Sequence, residues 1–139
     1  FIFHDTDQLL QRASELFVRN EAFMIQEFIP GANGIDYRLF VLNGKVIASM
    51  QRTAVPGDFR SNIHLGGDAK TYEPNSLEQR LAVQAVYTLG LDVAGVDIIY
   101  SQDGPMVLEV NACPGFEALE RVSGVNLAEK MLNFMISRK

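Results

Sequence analysis

Asn43-Gly44, standing between two runs rich in aliphatic, β-branched and aromatic residues, constrains this chain more than any other dipeptide in it. Both residues tolerate positive φ, which a tight two-residue turn demands if its twist is to match the strands it joins. Tyr37–Leu42 and Lys45–Gln51 are therefore expected to pair as an antiparallel hairpin. A second pair of strand-like runs, Ala94–Tyr100 and Met106–Asn111, is joined by Ser101-Gln102-Asp103-Gly104-Pro105. Phe23–Ile29 reads as a further strand and Phe1–Phe3 as a short one, with Pro30-Gly31-Ala32-Asn33-Gly34 breaking the chain into a loop.

Helical spacing recurs in three places. Asp5 or Thr6 can cap a helix running to about Asn20, with Leu9, Leu10, Ala13, Leu16 and Phe17 on its apolar side. Ser76-Leu77-Glu78-Gln79 matches a capping box. It opens a helix with Leu77, Leu81, Ala85 and Leu89 on one face, which Gly90 would end. Asn126 and Glu129 cap a last helix, expected to carry Leu127, Met131, Phe134 and Met135 inward. The expected class is α+β, a mostly antiparallel sheet covered by helices. Residues 53–74, with Pro56-Gly57-Asp58 and Gly66-Gly67, lack periodicity, and a polar segment of that length in a compact domain is usually functional.

Composition narrows the function classes. With 139 residues, 47% of them hydrophobic, the chain can bury a core as one domain or as a piece of a larger one. A net charge of −5 with 12 scattered Lys and Arg argues against nucleic acid, since tracking phosphates needs clustered cations. No run approaches the roughly 20 apolar residues of a membrane span, and Phe1-Ile2-Phe3-His4-Asp5 has no basic leader region. A single cysteine, Cys113, permits no intrachain disulfide and suggests a reducing, cytoplasmic home.

The second hairpin carries the chemistry. If Tyr100 pairs with Met106, Asp97 lies opposite Glu109 on one face, Asn111 follows on that face, and Val96, Ile98, Leu108 and Val110 point into an apolar layer. Like charges facing each other across strands repel, so something positive is expected between them. Three oxygen-bearing side chains without His or Cys suit a hard cation, Mg²⁺ or Mn²⁺, completed by substrate phosphates. Spacing alone equally allows Asp97 and Glu109 to lie on a solvated edge, and a one-residue slip would turn both away.

Gly95-Val96-Asp97 followed by Glu109-Val110-Asn111-Ala112-Cys113-Pro114-Gly115 resembles the metal-binding signature of ATP-grasp enzymes. The run Gly57-Asp58-Phe59-Arg60-Ser61-Asn62-Ile63-His64-Leu65-Gly66-Gly67 is similar to that of the RimK-type branch, and the resemblance extends over essentially the whole chain. It implies an ATP-dependent ligase that forms an amide through an acylphosphate, adding glutamate to the C-terminus of a ribosomal protein. An amino-acid ligase acting on a carrier protein or small peptide is the alternative within the class, and a non-catalytic nucleotide- or metal-binding module the alternative outside it.

Carried onto this sequence, the resemblance implies two divalent ions at Asp97, Glu109 and Asn111, and adenine contacts at Glu27 and Phe28. It implies a nucleotide contact at Asp36, further contacts in Arg60-Ser61-Asn62, and catalytic roles near the transferred phosphate for Arg60 and Asn62. It divides the chain into the remainder of the lid subdomain, residues 1–27, and a C-terminal ATP-grasp lobe, residues 28–139, with a glycine-rich lid loop upstream of Phe1 and a homo-oligomer when intact. His64 could touch substrate or be a hydrogen-bonded loop histidine, and Arg52 could meet the acid substrate. Cys113, with no base recognisable beside it, reads as packing rather than a nucleophile.

Overall fold

The computed structural model describes residues 1–58, 60–61 and 66–138. Five antiparallel strands form one sheet in the order β3-β2-β1-β4-β5, with β1 Ile35–Leu42, β2 Lys45–Thr53, β3 Asp68–Thr71, β4 Val93–Ser101 and β5 Gly104–Asn111. Helices α1 Thr6–Val18, α2 Ser76–Thr88, α3 Glu117–Ser123 and α4 Leu127–Ser137 complete it. This is the expected α+β class. No helix among the described residues is long and apolar enough to cross a membrane.

The first hairpin forms where Asn43-Gly44 places it. Leu42 pairs with Lys45, and the two turn residues take φ of 49° and 71°. Period-two alternation then sends Leu39 and Val41 to one face, where they pack with Ala82 and Val86 of α2 and Ala94, Val96 and Ile98 of β4. Phe40, Leu42, Ala48 and Met50 go to the other face, beneath Leu119 of α3 and Leu127 of α4. The sheet thus has helices on both sides, and each fully buried aliphatic side chain contributes roughly 1.5–3 kcal/mol.

Helix boundaries follow local chemistry. Asp5 caps α1 by accepting from the Asp7 amide at 2.6 Å. The α2 capping box is built by Asn75 and Glu78, one position before the expected Ser76-Gln79 frame, and Gly90 follows the helix at φ 66°. The buried stripe shifts with it: Glu78, Ala82 and Val86 are buried, whereas Leu77 and Leu89 face solvent. Asn126 caps α4 as expected, while Met135 points outward because Leu127, Met131 and Phe134 already fill the inward face. Glu120 of α3 adds a carboxylate at the α4 N-terminus, accepting from the Leu127 amide at 2.6 Å.

Neither Phe23–Ile29 nor Phe1–Phe3 is a strand. A strand needs a neighbour to receive its ladder hydrogen bonds, and the sheet of the described residues includes neither segment. β3 arises within residues 53–74, which lack periodicity, and α3 is a helix not anticipated from the sequence.

In the second hairpin Asp97 does face Glu109, but the hairpin reaches that register by a different route. The turn is shorter than expected, with Ser101 opposite Gly104 and Tyr100 opposite Pro105 rather than Met106. A β-bulge at Leu108 then restores the frame, because Ile98 pairs with Val107 and Asp97 with Glu109. Val107 consequently takes the place expected for Leu108 in the apolar layer, and Leu108 lines the cleft on the opposite face.

Just past β5, Pro114 folds back against Gly95. A Cβ built on Gly95 would lie 2.8 Å from the Pro114 Cβ, so only glycine admits this approach. Gly95→Ala is expected to lower unfolding free energy by about 1–3 kcal/mol through overpacking against a rigid ring. Urea denaturation with an unchanged midpoint would contradict that.

Candidate functional site

Beyond Phe40 the α3–α4 face of the sheet changes from apolar to charged. Asp36 and Arg38 of β1, Arg52 of β2, Asp97 of β4 and Glu109 of β5 share it, because Asp36 pairs with Arg52, Arg38 with Asp97, and Asp97 with Glu109. These residues floor a cleft of about 1370 Å³ whose opposite wall comes from Phe1–Phe3, α1 and residues 23–29.

Asp97 is the centre of this floor. It is 2% exposed, and Arg38 grips it with a fork, Nε to Oδ1 at 2.8 Å and Nη2 to Oδ2 at 2.7 Å. Arg52 adds Nη2 to Oδ2 at 2.6 Å while holding Asp36 with a second fork at 2.6 and 2.7 Å. Ser61 donates its hydroxyl to Asp36 Oδ2 at 2.6 Å. Burial opposes ionisation of Asp97 more than any other single influence, but the bond from Arg38, the charges of Arg52 and Arg38 and the bond from Arg52 together hold its carboxyl below the usual range.

Glu109 meets a different environment. Its side chain is 57% exposed, and Arg38 Nη2 stands 3.8 Å away. Partial burial, then the charge of Asp97, push its carboxyl above the usual value despite the two arginines. Arg38 is thus a positive partner standing between the paired carboxylates, while Arg52 bridges Asp97 to Asp36.

The floor still suits a hard cation. A carboxylate offers about four lone-pair sites, and Asp97 has one left, on Oδ1. Glu109 opens to the cleft, and Asn111, whose Oδ1 accepts from the Cys113 amide at 3.0 Å, lines it beside Glu109. Among the described residues no three His, Cys, Asp or Glu side chains gather around a common point. Two carboxylates and an amide are the incomplete oxygen set that Mg²⁺ takes when substrate phosphates supply the rest.

The other expected site residues fall on the same cleft. Glu27 and Phe28 line its wall. Asp36 lies on the floor, 5% exposed, accepting from Arg52 and Ser61 as described. Ser61 is buried beside it, and Arg60 lines the cleft with its Nε and Nη2 on the Asp58 carboxylate at 3.1 and 2.9 Å. Asn62 and His64 lie outside the described residues. Cys113 is exposed. Sequence reasoning missed Arg38, although the period-two spacing from Asp36 was enough to put it on the same face.

Residues 1–135 match the family model of the RimK-like ATP-grasp domain. A probable alpha-L-glutamate ligase of Aeromonas salmonicida is 46% identical over 132 residues, covering 94% of this chain and 44% of that protein. A probable alpha-L-glutamate ligase 2 of Hahella chejuensis is 50% identical over 114 residues, covering 82% and 38%. The chain therefore spans less than half the length of these curated relatives. Among solved structures, the ATP-grasp ligase PsnB with a precursor variant, Mg and ADP superposes with a TM-score of 0.62 at 25% identity, over 81% of this chain and 34% of that one. D-alanine–D-alanine ligase from Bacillus anthracis shares the fold, with a TM-score of 0.61 at 18% identity over 96% and 46%.

Because Arg38 forks onto the buried Asp97 carboxylate, Arg38→Met should cost on the order of 3 kcal/mol of unfolding free energy by leaving that charge short of its partner. A denaturation midpoint equal to that of wild type would contradict this. The depressed Asp97 carboxyl stabilises the fold above the unfolded value near pH 4, and that contribution disappears as pH falls through the lower folded value. The stability of wild type and Asp97→Asn should therefore converge in acid, and a constant gap measured by denaturant titration would refute it.

Proposed function

The chain belongs to the RimK-like ATP-grasp family, and from that premise we propose that it forms the nucleotide- and cation-binding floor of an ATP-dependent carboxylate–amine ligase. The observation that carries this reading is the convergence of Glu109, Asn111 and the arginine-braced Asp97 on one cleft with Arg60 and Phe28. A ligase of this kind needs little covalent chemistry from its side chains, because phosphoryl transfer depends on positioning and charge neutralisation.

In this reading Glu27 and Phe28 receive the adenine, and Ser61, Asn62 and Arg60 lie along the phosphates, Arg60 exchanging Asp58 for the transferring group. Divalent cations held by Glu109, Asn111 and the open lone pair of Asp97 would offset phosphate charge; Mg²⁺ is supported by the PsnB complex, and two ions are the number the family resemblance suggests. The substrate carboxylate attacks the γ-phosphorus, the bond to the bridging oxygen breaks, and ADP leaves. An amine then attacks the acyl carbon, phosphate departs, and the amine nitrogen loses a proton to give the amide.

The names of the relatives support glutamate as the amino acid. A protein or peptide C-terminus is the acceptor class, with a ribosomal protein the acceptor the resemblance suggests, and the cytoplasm the compartment. Residues 1–27 would be the remainder of the lid, which agrees with an α1 that buries none of its residues, and residues 28–139 the lobe that carries the site.

Glu109→Ala in the intact enzyme should lower kcat for glutamate-dependent ADP release by at least roughly 10²–10³-fold. Wild-type kcat in a folded variant would sink the assignment.

A further inference from the structure

Arg60 and Ser61 reach the cleft on a connection that is only as steady as its two ends. Residues 54–67 leave the sheet after β2 and return at β3, where Thr53 pairs with Asp68. β2 is paired on both sides, whereas β3 is an edge strand of four residues whose ladder, among the described residues, runs to β2 alone. Short, solvent-exposed elements of this kind open readily, so β3 needs a hold beyond its ladder. Tyr72, the residue that follows it, supplies three. Its carbonyl accepts from Ser49 Oγ of β2 at 2.6 Å, its ring packs on Tyr37 of β1 with centroids 4.3 Å apart, and its hydroxyl donates to Glu78 Oε1 of α2 at 2.7 Å.

We infer that Tyr72 is a positioning residue for Arg60 and Ser61: pinned to β1, β2 and the buried Glu78 carboxylate, it fixes the returning end of residues 54–67 and with it their approach to the cleft. This rests on the reading of Arg60 and Ser61 as phosphate contacts. Ser61 is tied to the floor by its hydroxyl on Asp36 at 2.6 Å, and Tyr72 fixes where the chain goes from there. Glu78 serves as the fixed point because its side chain is completely buried and its Oε2 accepts from the Asn75 amide at 2.7 Å. A buried carboxylate that loses a donor bears the cost of the unsatisfied group, so the bond from Tyr72 resists opening. Tyr100 donates to the same oxygen at 2.8 Å, but it belongs to β4, an interior strand that carries no part of this connection. The two phenols are thus equivalent for Glu78 and unequal for Arg60.

That inequality is the test. In the intact protein, Tyr72→Phe and Tyr100→Phe each remove one hydroxyl from the same carboxylate oxygen and keep the ring. The readouts are kcat for glutamate-dependent ADP release and amide hydrogen exchange at Arg60 and Ser61. Tyr72→Phe should lower kcat by roughly 10–10²-fold, the scale on which an ångström of misplacement acts, and should speed exchange at both amides. Tyr100→Phe should lose comparable stability yet keep wild-type kcat and exchange. Ser49→Ala, which releases the Tyr72 carbonyl, should act in the same direction as Tyr72→Phe and keeps the inference testable if that variant does not fold. Wild-type kcat and exchange in folded Tyr72→Phe would overturn the inference. So would equal losses in Tyr100→Phe, because Glu78 would then be acting on the whole fold. If the wild type releases no ADP, the ligase reading fails separately, and exchange still decides: faster exchange confined to Tyr72→Phe upholds the positioning role, and equal rates in all three proteins overturn it.

Discussion

The arrangement of the whole charged face depends on how Asp97 is accommodated. A carboxylate 2% exposed in the middle of a sheet cannot stay ionised on dispersion and hydrophobic contact alone, because leaving water costs several kcal/mol per ion. Two arginines resolve this by placing fixed donors on both oxygens. Their own placement is dictated by the ladder: Arg38 is the cross-strand partner of Asp97, and Arg52 is the partner of Asp36 two residues before Arg38. Charges of alternating sign then run Asp36, Arg52, Asp97, Arg38, Glu109 across four strands. Each acid has a neighbouring cation, and only the last is substantially open to the cleft.

The opposite face solves the same problem with neutral groups. Glu78 of α2 is completely buried, yet its carboxylate is satisfied by the hydroxyls of Tyr72 and Tyr100 at 2.7 and 2.8 Å and by the Asn75 amide at 2.7 Å. Tyr37 packs against both tyrosine rings, so the capping box of α2 is tied to β1 and β4 at once. Burial and the hydrogen bond to Glu78 both raise the Tyr72 and Tyr100 hydroxyls above their ordinary range, which keeps them as donors. One face thus anchors a helix through hydroxyls, and the other holds ready charge through guanidinium groups.

Much of this was legible in the residues. Asn43-Gly44 specified its turn because few dipeptides accept two positive φ angles, and Asn126 and Gly90 marked helix ends for equally local reasons. What failed were features that tertiary neighbours decide. The α2 stripe lies one residue away from the expected one because Glu78, a charged residue that pattern reading sends to solvent, is drawn inward by two tyrosines. Phe23–Ile29 has strand composition but lies outside the sheet of the described residues, and composition alone cannot place a segment in a sheet. The Asp97–Glu109 pairing was correctly expected through an incorrect turn, since no sequence signal announced the bulge. Arg38 carries no motif of its own, and only the burial of Asp97, which the fold decides, calls for its cation.

The bulge at Leu108 separates two jobs within one hairpin. On its turn side the strands keep the register of a two-residue connection, and on its site side they keep the register that seats Glu109 opposite Asp97. The extra residue also leaves Leu108 and Glu109 side by side on the cleft, an apolar surface adjoining a carboxylate. The bulge therefore sets the register of the tip and that of the acidic pair separately, so the geometry of the acids is not dictated by the turn that closes their hairpin.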